Sequence, residues 1–282
     1  PPRSLTNMSF ARYASSSIGK KQLMALSGLL LIGFLLAHLA GNFLIFAGYG
    51  NTYNHQQAKI IASASVEQVT ELNNPEKNKT LFSSASLANS DTDINNIPIN
   101  DYALKLKNLG PILWVMRIGL LVIFVMHLYL FLQVVTINKL ARPKPYAMKA
   151  SKGNTSLAST TMHYTGIIIL SYLLLHLADF TFHLFPTSSV IDGVDEGLYG
   201  LMINSFQNPI HAGMYIFAMC VLGLHITHAI QSAFQTFGIN HPNYTPHIKK
   251  ASQAIGVLIA LGYISIPAFV FITNTLNLGV SK

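Results

Sequence analysis

Five stretches of this chain are long, apolar and almost free of charge, and they dictate what it can fold into. Gln22 to Phe46 carries no ionisable residue except His38. Ile118 to Asn138, Gly153 to Ala178, Gly197 to Ile248 and Ala251 to Ser281 contain no Asp, Glu, Lys or Arg. A spanning helix needs about 20 mostly apolar residues, and each run supplies them. Hydrocarbon offers no hydrogen-bond partners, so a lone span must satisfy its backbone internally, as a helix. The run from Gly197 is too long to be all membrane, and its helix is placed at Pro209 to Phe237. The sequence thus predicts an all-α integral membrane protein forming one membrane domain over residues 1–282. Its helices are expected at about 22–46, 111–137, 162–185, 209–237 and 253–276, with 47–110 as a long outer loop.

Charge sets the orientation. Residues 1–21 hold Arg3, Arg12, Lys20 and Lys21 with no acid. The second connection holds Lys139, Arg142, Lys144, Lys149 and Lys152, and the fourth holds Lys249 and Lys250. On the other side, 47–110 mixes five Lys with six acids, and 186–208 has only Asp192, Asp195 and Glu196. The positive-inside bias puts the N-terminus and the basic connections in the cytoplasm. The expected location is the bacterial cytoplasmic membrane, ahead of the mitochondrial inner membrane. The net charge of +8 is therefore read as topology and not as a nucleic-acid footprint.

The single cysteine, Cys220, excludes a disulfide framework and a thiolate metal site, and is expected to pack in the core. The basic, Ser-rich N-terminus is read as an interfacial segment rather than a transit peptide. Ser63 to Asn100 is polar and poor in aromatics, so a solvated loop insertion is expected there. No repeat of fixed period and no phosphate-binding glycine motif is read.

Four histidines, His38, His127, His176 and His225, lie inside four separate apolar segments. An imidazole at that depth is costly and usually serves a pathway or a cofactor. Helical rise converts position into depth. His38 and His176 fall in the outer half, roughly 24 and 21 Å from the inner surface. His127 and His225 each follow a proline by sixteen residues, roughly 24 Å from the outer surface, and fall in the inner half. The expected pairs are His38 with His176 and His127 with His225. Two such pairs suit two stacked bis-histidine haems b, the first four helices forming the haem-binding bundle. Gly41, Gly119 and Gly223 would give a porphyrin room, or equally serve close helix packing. No residue is assigned a catalytic role.

Other polar groups are weaker candidates. His183 follows His176 by seven residues and shares its face; His228 follows His225 by one turn and is an alternative ligand. Both are candidates for contact with haem propionates or a quinone. Arg117 is a candidate propionate partner, or snorkels to the surface. Asp179 is a candidate for proton exchange with a quinone, or pairs with Arg117. His55, His241 and His247 are read as loop residues, and His163 and His211 as polar rings at helix ends.

The ordered set of local sequences resembles a known family. These are Ala37-His38-Leu39-Ala40-Gly41-Asn42; Leu113-Trp114-Val115-Met116-Arg117-Ile118-Gly119-Leu120 leading to His127; Asn138 through Ala141-Arg142-Pro143 with Tyr146; and Leu224-His225 thirteen residues before Gly238. They look like the single-chain, five-helix, di-haem cytochrome b membrane anchor of succinate:quinone oxidoreductases and fumarate reductases, from about Ser17 to the end. The resemblance implies a flavoprotein subunit interconverting succinate and fumarate and an iron–sulfur subunit docked on the cytoplasmic face. It also implies a membrane quinone, menaquinone by preference, near the outer haem. This chain is then the membrane subunit of an enzyme and has no dicarboxylate site of its own. The long first loop departs from compact members, so no quinone-site carboxylate is carried over there.

Two alternatives compete. In one, ligands come in pairs on two helices, His163 with His176 and His211 with His225, as in the cytochrome b of quinol–cytochrome c reductases. In the other, the chain is a non-redox proton or solute transporter, for which repeats and interrupted helices are expected.

Overall fold

The computed structural model describes residues 10–48, 97–141, 157–191 and 194–275. Ten elements lie among them. They are α1 (Phe10–Ser15), α2 (Ser17–Asn42), α3 (Pro98–Asn108), α4 (Pro111–Leu140), α5 (Leu157–Phe180), β1 (Val190–Ile191), β2 (Val194–Asp195), α6 (Gly197–Gln207), α7 (Pro209–Thr236) and α8 (Thr245–Thr275). The fold is all-α apart from β1 and β2, which pair antiparallel through Val190 with Asp195 and Ile191 with Val194.

Five helices are long and apolar enough to cross a membrane: Ser17–Gly48, Pro111–Leu140, Thr161–Phe180, Pro209–Thr236 and Thr245–Thr273. Two of these spans and one shorter helix start in the same way. Pro98, Pro111 and Pro209 open α3, α4 and α7, where a missing N–H costs nothing because that donor has no intrahelical partner. Their ends are equally legible. Gly238, at φ 84°, closes α7: its N–H donates to Gln235 O and that of Ile239 to Phe234 O, a Schellman cap.

Two spans differ from expectation. The third stops at Phe180 because His183 enters the left-handed region at φ 49°. His183 is consequently exposed beyond the helix and does not share a helical face with His176. The fifth starts at Thr245, carrying Lys249 and Lys250 within its first turns, where long basic side chains reach the headgroup region. His247 is therefore helical rather than a loop residue.

The chain forms two compact units. The first comprises Pro1–Leu39, Pro111–Leu175 and Phe217–Ile264; the second comprises Ala40–Gly110, His176–Ile216 and Ser265–Lys282. Four of the five spans contribute to both units.

In the first unit α7 and α8 meet backbone to backbone. A Cβ on Gly223 would lie 3.0 Å from Gly256 O, and one on Gly256 would lie 2.2 Å from Thr227 Oγ1 and 2.7 Å from Gly223 O. Gly223 therefore serves close helix packing rather than porphyrin space. Cys220 is exposed, contrary to the expected core position. It shares an exposed stripe of α7 with Gly213, Met214, Phe217 and Leu224, a face apolar enough for lipid.

The second unit contains α3 and α6. Ile97 and Ile99 are 2% and 1% exposed, so the end of the segment expected to be a solvated loop is core. Asn100 explains the ordering. Its Nδ2 donates to Glu196 O at 2.9 Å, and its Oδ1 accepts the Tyr199 N–H at 3.0 Å, capping the N-terminus of α6. Tyr102 of α3 rests on Gly41, where any Cβ would come within 2.6 Å of its ring. Most of the 47–110 connection, His55, and the basic residues Arg142 to Lys152 lie outside the described residues.

Candidate functional site

Within the first unit, His127 and His225 are held in matching ways. Ser27 Oγ donates its proton to Met24 O at 2.9 Å and lies 3.0 Å from His127 Nδ1. A hydroxyl has one proton and two lone pairs. With the proton committed to Met24, Ser27 accepts from His127 Nδ1–H. That tautomer leaves Nε2 with its lone pair free to bind a metal. Thr165 repeats the device: Oγ1 donates to Met162 O at 3.0 Å and lies 3.1 Å from His225 Nδ1. Ser27 is fully buried and Thr165 is 5% exposed, so neither hydroxyl is exchanging its bond with water.

The residue after each hydroxyl is a glycine facing the same ring. A Cβ on Gly28 would sit 3.4 Å from His127 Cε1, and one on Gly166 would sit 3.8 Å from His225 Cε1. Both imidazoles are half-buried in the same unit, each with its Nδ1 anchored. Among the described residues no hydroxyl anchors His228, so of the two neighbouring rings it is that of His225 that is fixed in this way.

His38 belongs to the same unit. Its ring stacks on Phe34 at 5.4 Å and lies 6.3 Å from the Tyr263 ring of α8. Tyr263 in turn donates to Leu35 O at 2.7 Å, one turn before His38. Sequence reasoning missed Tyr263, and nothing in its local pattern distinguishes it from an interfacial tyrosine. Arg117 is exposed and lies over Trp114 of its own helix at 5.3 Å, the posture of a snorkelling side chain. Gly119 faces open space. His163 is exposed, its ring 5.7 Å from Phe131.

The second unit holds His176 and Asp179. His176 packs against Phe180 at 5.4 Å and Tyr215 at 6.2 Å. Asp179 is buried; Tyr215 Oη donates to its Oδ2 at 2.8 Å, and His211 Nε2 lies 2.7 Å from that same oxygen. His211 therefore faces the buried Asp179 carboxylate rather than standing alone as a polar ring at a helix end.

These contacts expose a repeat that the linear reading overlooked. Met24, Ser27, Gly28, His38, Leu39 and Ala40 recur 138 residues later as Met162, Thr165, Gly166, His176, Leu177 and Ala178. Pro111, His127 and Gln133 recur 98 residues later as Pro209, His225 and Gln231. The two offsets differ by 40 residues, the excess length of the first connection, which hides any fixed period. Spans one and two are thus a hairpin repeated by spans three and four. His38 is equivalent to His176 and His127 to His225, the same pairs that depth suggests.

Among the described residues no cluster of three or more His, Cys, Asp or Glu is arranged to hold a bare metal ion. No protein-family model, no curated protein and no solved structure matches this chain.

Proposed function

We propose that this chain is a di-haem cytochrome b, the membrane anchor of a succinate:quinone oxidoreductase or fumarate reductase. The observation that carries the reading is the matched fixing of His127 and His225 by Ser27 and Thr165. Metal-ligating histidines characteristically donate their other ring N–H to a fixed acceptor, which sets tautomer and orientation. A histidine that merely bridges helices has no need of a presented Nε2, and two related by a repeat have less. His127 and His225 would hold one haem, His38 and His176 the other. When bound, each haem supplies a one-electron couple whose potential the axial ligands and their hydrogen bonds tune.

The chain's own residues contribute orientation and exclusion of water. Ser27 and Thr165 lock the imidazoles, Gly28 and Gly166 clear their flanks, and the apolar spans keep water away. Partner subunits, a flavoprotein and an iron–sulfur protein, would dock on the basic side, in the cytoplasm of a bacterium. A quinone, menaquinone by preference, would exchange electrons from the hydrocarbon phase.

A pyridine haemochrome assay and a reduced-minus-oxidised spectrum of the purified chain test this. Two low-spin b haems per polypeptide are expected, and none would overturn the reading. The repeat also favours a second reading, since many non-redox transporters are built from internal repeats. A colourless protein would point there.

A further inference from the structure

The fifth span stands outside the repeat, so the duplicated hairpins do not account for it. In the first unit it is seated on α7 at Gly256, where a Cβ would come within 2.7 Å of Gly223 O. About two turns further along α8 stands Tyr263. It is 8% exposed, and its Oη donates to Leu35 O at 2.7 Å. Leu35 precedes His38 by one turn, and in a continuous helix its carbonyl also accepts the N–H four residues on. A carbonyl has two lone pairs, and the phenol takes the second. A buried phenol keeps such a partner in hydrocarbon, where no water can replace it.

The Tyr263 ring lies 6.3 Å from the His38 ring, at 33° to it. Phe34 stacks on His38 more closely, at 5.4 Å and 19°, but it is 41% exposed and belongs to the same helix as the histidine. Tyr263, by contrast, is buried, hydrogen-bonded and supplied by another element. The second hairpin gives its outer histidine a phenol by a different route. There Tyr215 of α7 lies 6.2 Å from the His176 ring. The equivalent of Tyr215 in the first hairpin is Arg117, 98 residues earlier, which is exposed and lies over Trp114. The first hairpin thus has no phenol of its own at that position, and α8 brings one to His38.

We infer that Tyr263 is the positioning residue for His38. Its hydroxyl pins the turn of α2 that leads to the histidine, and its ring limits how the imidazole can rotate. The fifth span thereby takes part in the site of a histidine that the hairpins alone leave less constrained. Orientation of a ligating imidazole by its surroundings is one of the means by which a protein sets the affinity and electronic state of a bound iron. The consequence for haem rests on the di-haem reading above; the hold of Tyr263 on the imidazole does not.

The test uses the full chain in lipid nanodiscs, with haem titration and low-temperature EPR reading each haem separately. Tyr263→Leu, which removes ring and hydroxyl, should weaken one haem site about ten-fold, the lower end for lost partners of metal-bound histidines. It should also move the low-spin EPR signal of that haem and leave the other signal in place. Tyr263→Phe keeps the ring, so its signal should stay near the original position and its affinity within about three-fold, the worth of one interhelical hydrogen bond in a membrane. Leu261→Ala, on the exposed side of α8, should change neither haem. Two signals that stay put in Tyr263→Leu, or that move together, would overturn the proposal. The unaltered chain gives a second measurement that depends neither on a variant folding nor on haem. Selectively labelled histidine and tyrosine should show ring-to-ring NMR contact between His38 and Tyr263 in the reduced or haem-free protein, and its absence overturns the proposal. Contact without any bound haem would sink the cytochrome reading while leaving the role of Tyr263 standing.

Discussion

Ser27 Oγ lies 3.0 Å from His127 Nδ1 while donating its own proton to Met24 O, so the serine decides which nitrogen of the histidine faces outward. Ser27→Ala removes the hydroxyl acceptor and leaves the half-buried ring N–H only the Met24 carbonyl, a loss of about 1 kcal/mol. Haem affinity at that site should fall about ten- to a hundred-fold, as for other lost partners of metal-bound histidines. Ser27→Thr, which copies Thr165, should restore it. A haem titration in which serine, alanine and threonine behave alike would remove the role assigned to Ser27.

His225 and His228 are one turn apart, and the repeat separates them, because His225 matches His127 whereas His228 matches Leu130. His225→Ala should cost one haem or convert it to a high-spin form. His228→Ala should leave two low-spin haems in the reduced spectrum. The reverse outcome would transfer the ligand role to His228.

Gly256 lies where α7 and α8 meet backbone to backbone. Gly256→Ala puts a methyl 2.2 Å from Thr227 Oγ1 and 2.7 Å from a backbone oxygen that cannot rotate away. Overpacking of this kind costs about 1–3 kcal/mol, and the thermal midpoint in detergent should drop accordingly. Gly119→Ala faces open space and should leave the midpoint unchanged.

Asp195 lies outside the spans, and its carboxyl is held below the ordinary 3.8, first by the Ser189 side chain and then by the Gly197 N–H at 2.9 Å. A depressed folded-state pKa means that the contribution to stability is present above 3.8 and lost as pH falls through the lower, folded value. Carboxyl carbon shifts followed by NMR should give a midpoint under 3.8, and Ser189→Ala should raise it towards that value. A midpoint at or above 3.8 in the unaltered protein would contradict the geometry.

Much of the fold was written in the sequence because a bilayer leaves few choices: long neutral runs must be helices, and prolines mark where α4 and α7 begin. The four intramembrane histidines were legible for the same reason, each being expensive where it sits. Ser27 and Thr165 were not, since a small hydroxyl is common in membrane helices and shows its purpose only once the opposing ring is seen. The repeat escaped detection because 40 extra residues break its period. Cys220 was misjudged because a span has two apolar environments, protein and lipid, and composition cannot tell them apart. Ile97 and Ile99 were misjudged because a polar stretch ends at them without any local sign that they are covered.

The cap that Asn100 places on α6 has a consequence for the order of assembly. Synthesis proceeds from the N-terminus, so the capping amide exists ninety-nine residues before the Tyr199 N–H that it must meet. The start of α6 cannot reach its final form until a residue made with the first hairpin has come back to it. Duplicated halves of a protein can in principle mature separately; here α3, which precedes the second span as α6 precedes the fourth, makes the later copy depend on the earlier one. The short helix ahead of the second span thus acts as a clasp fashioned in advance, waiting for the helix it will close.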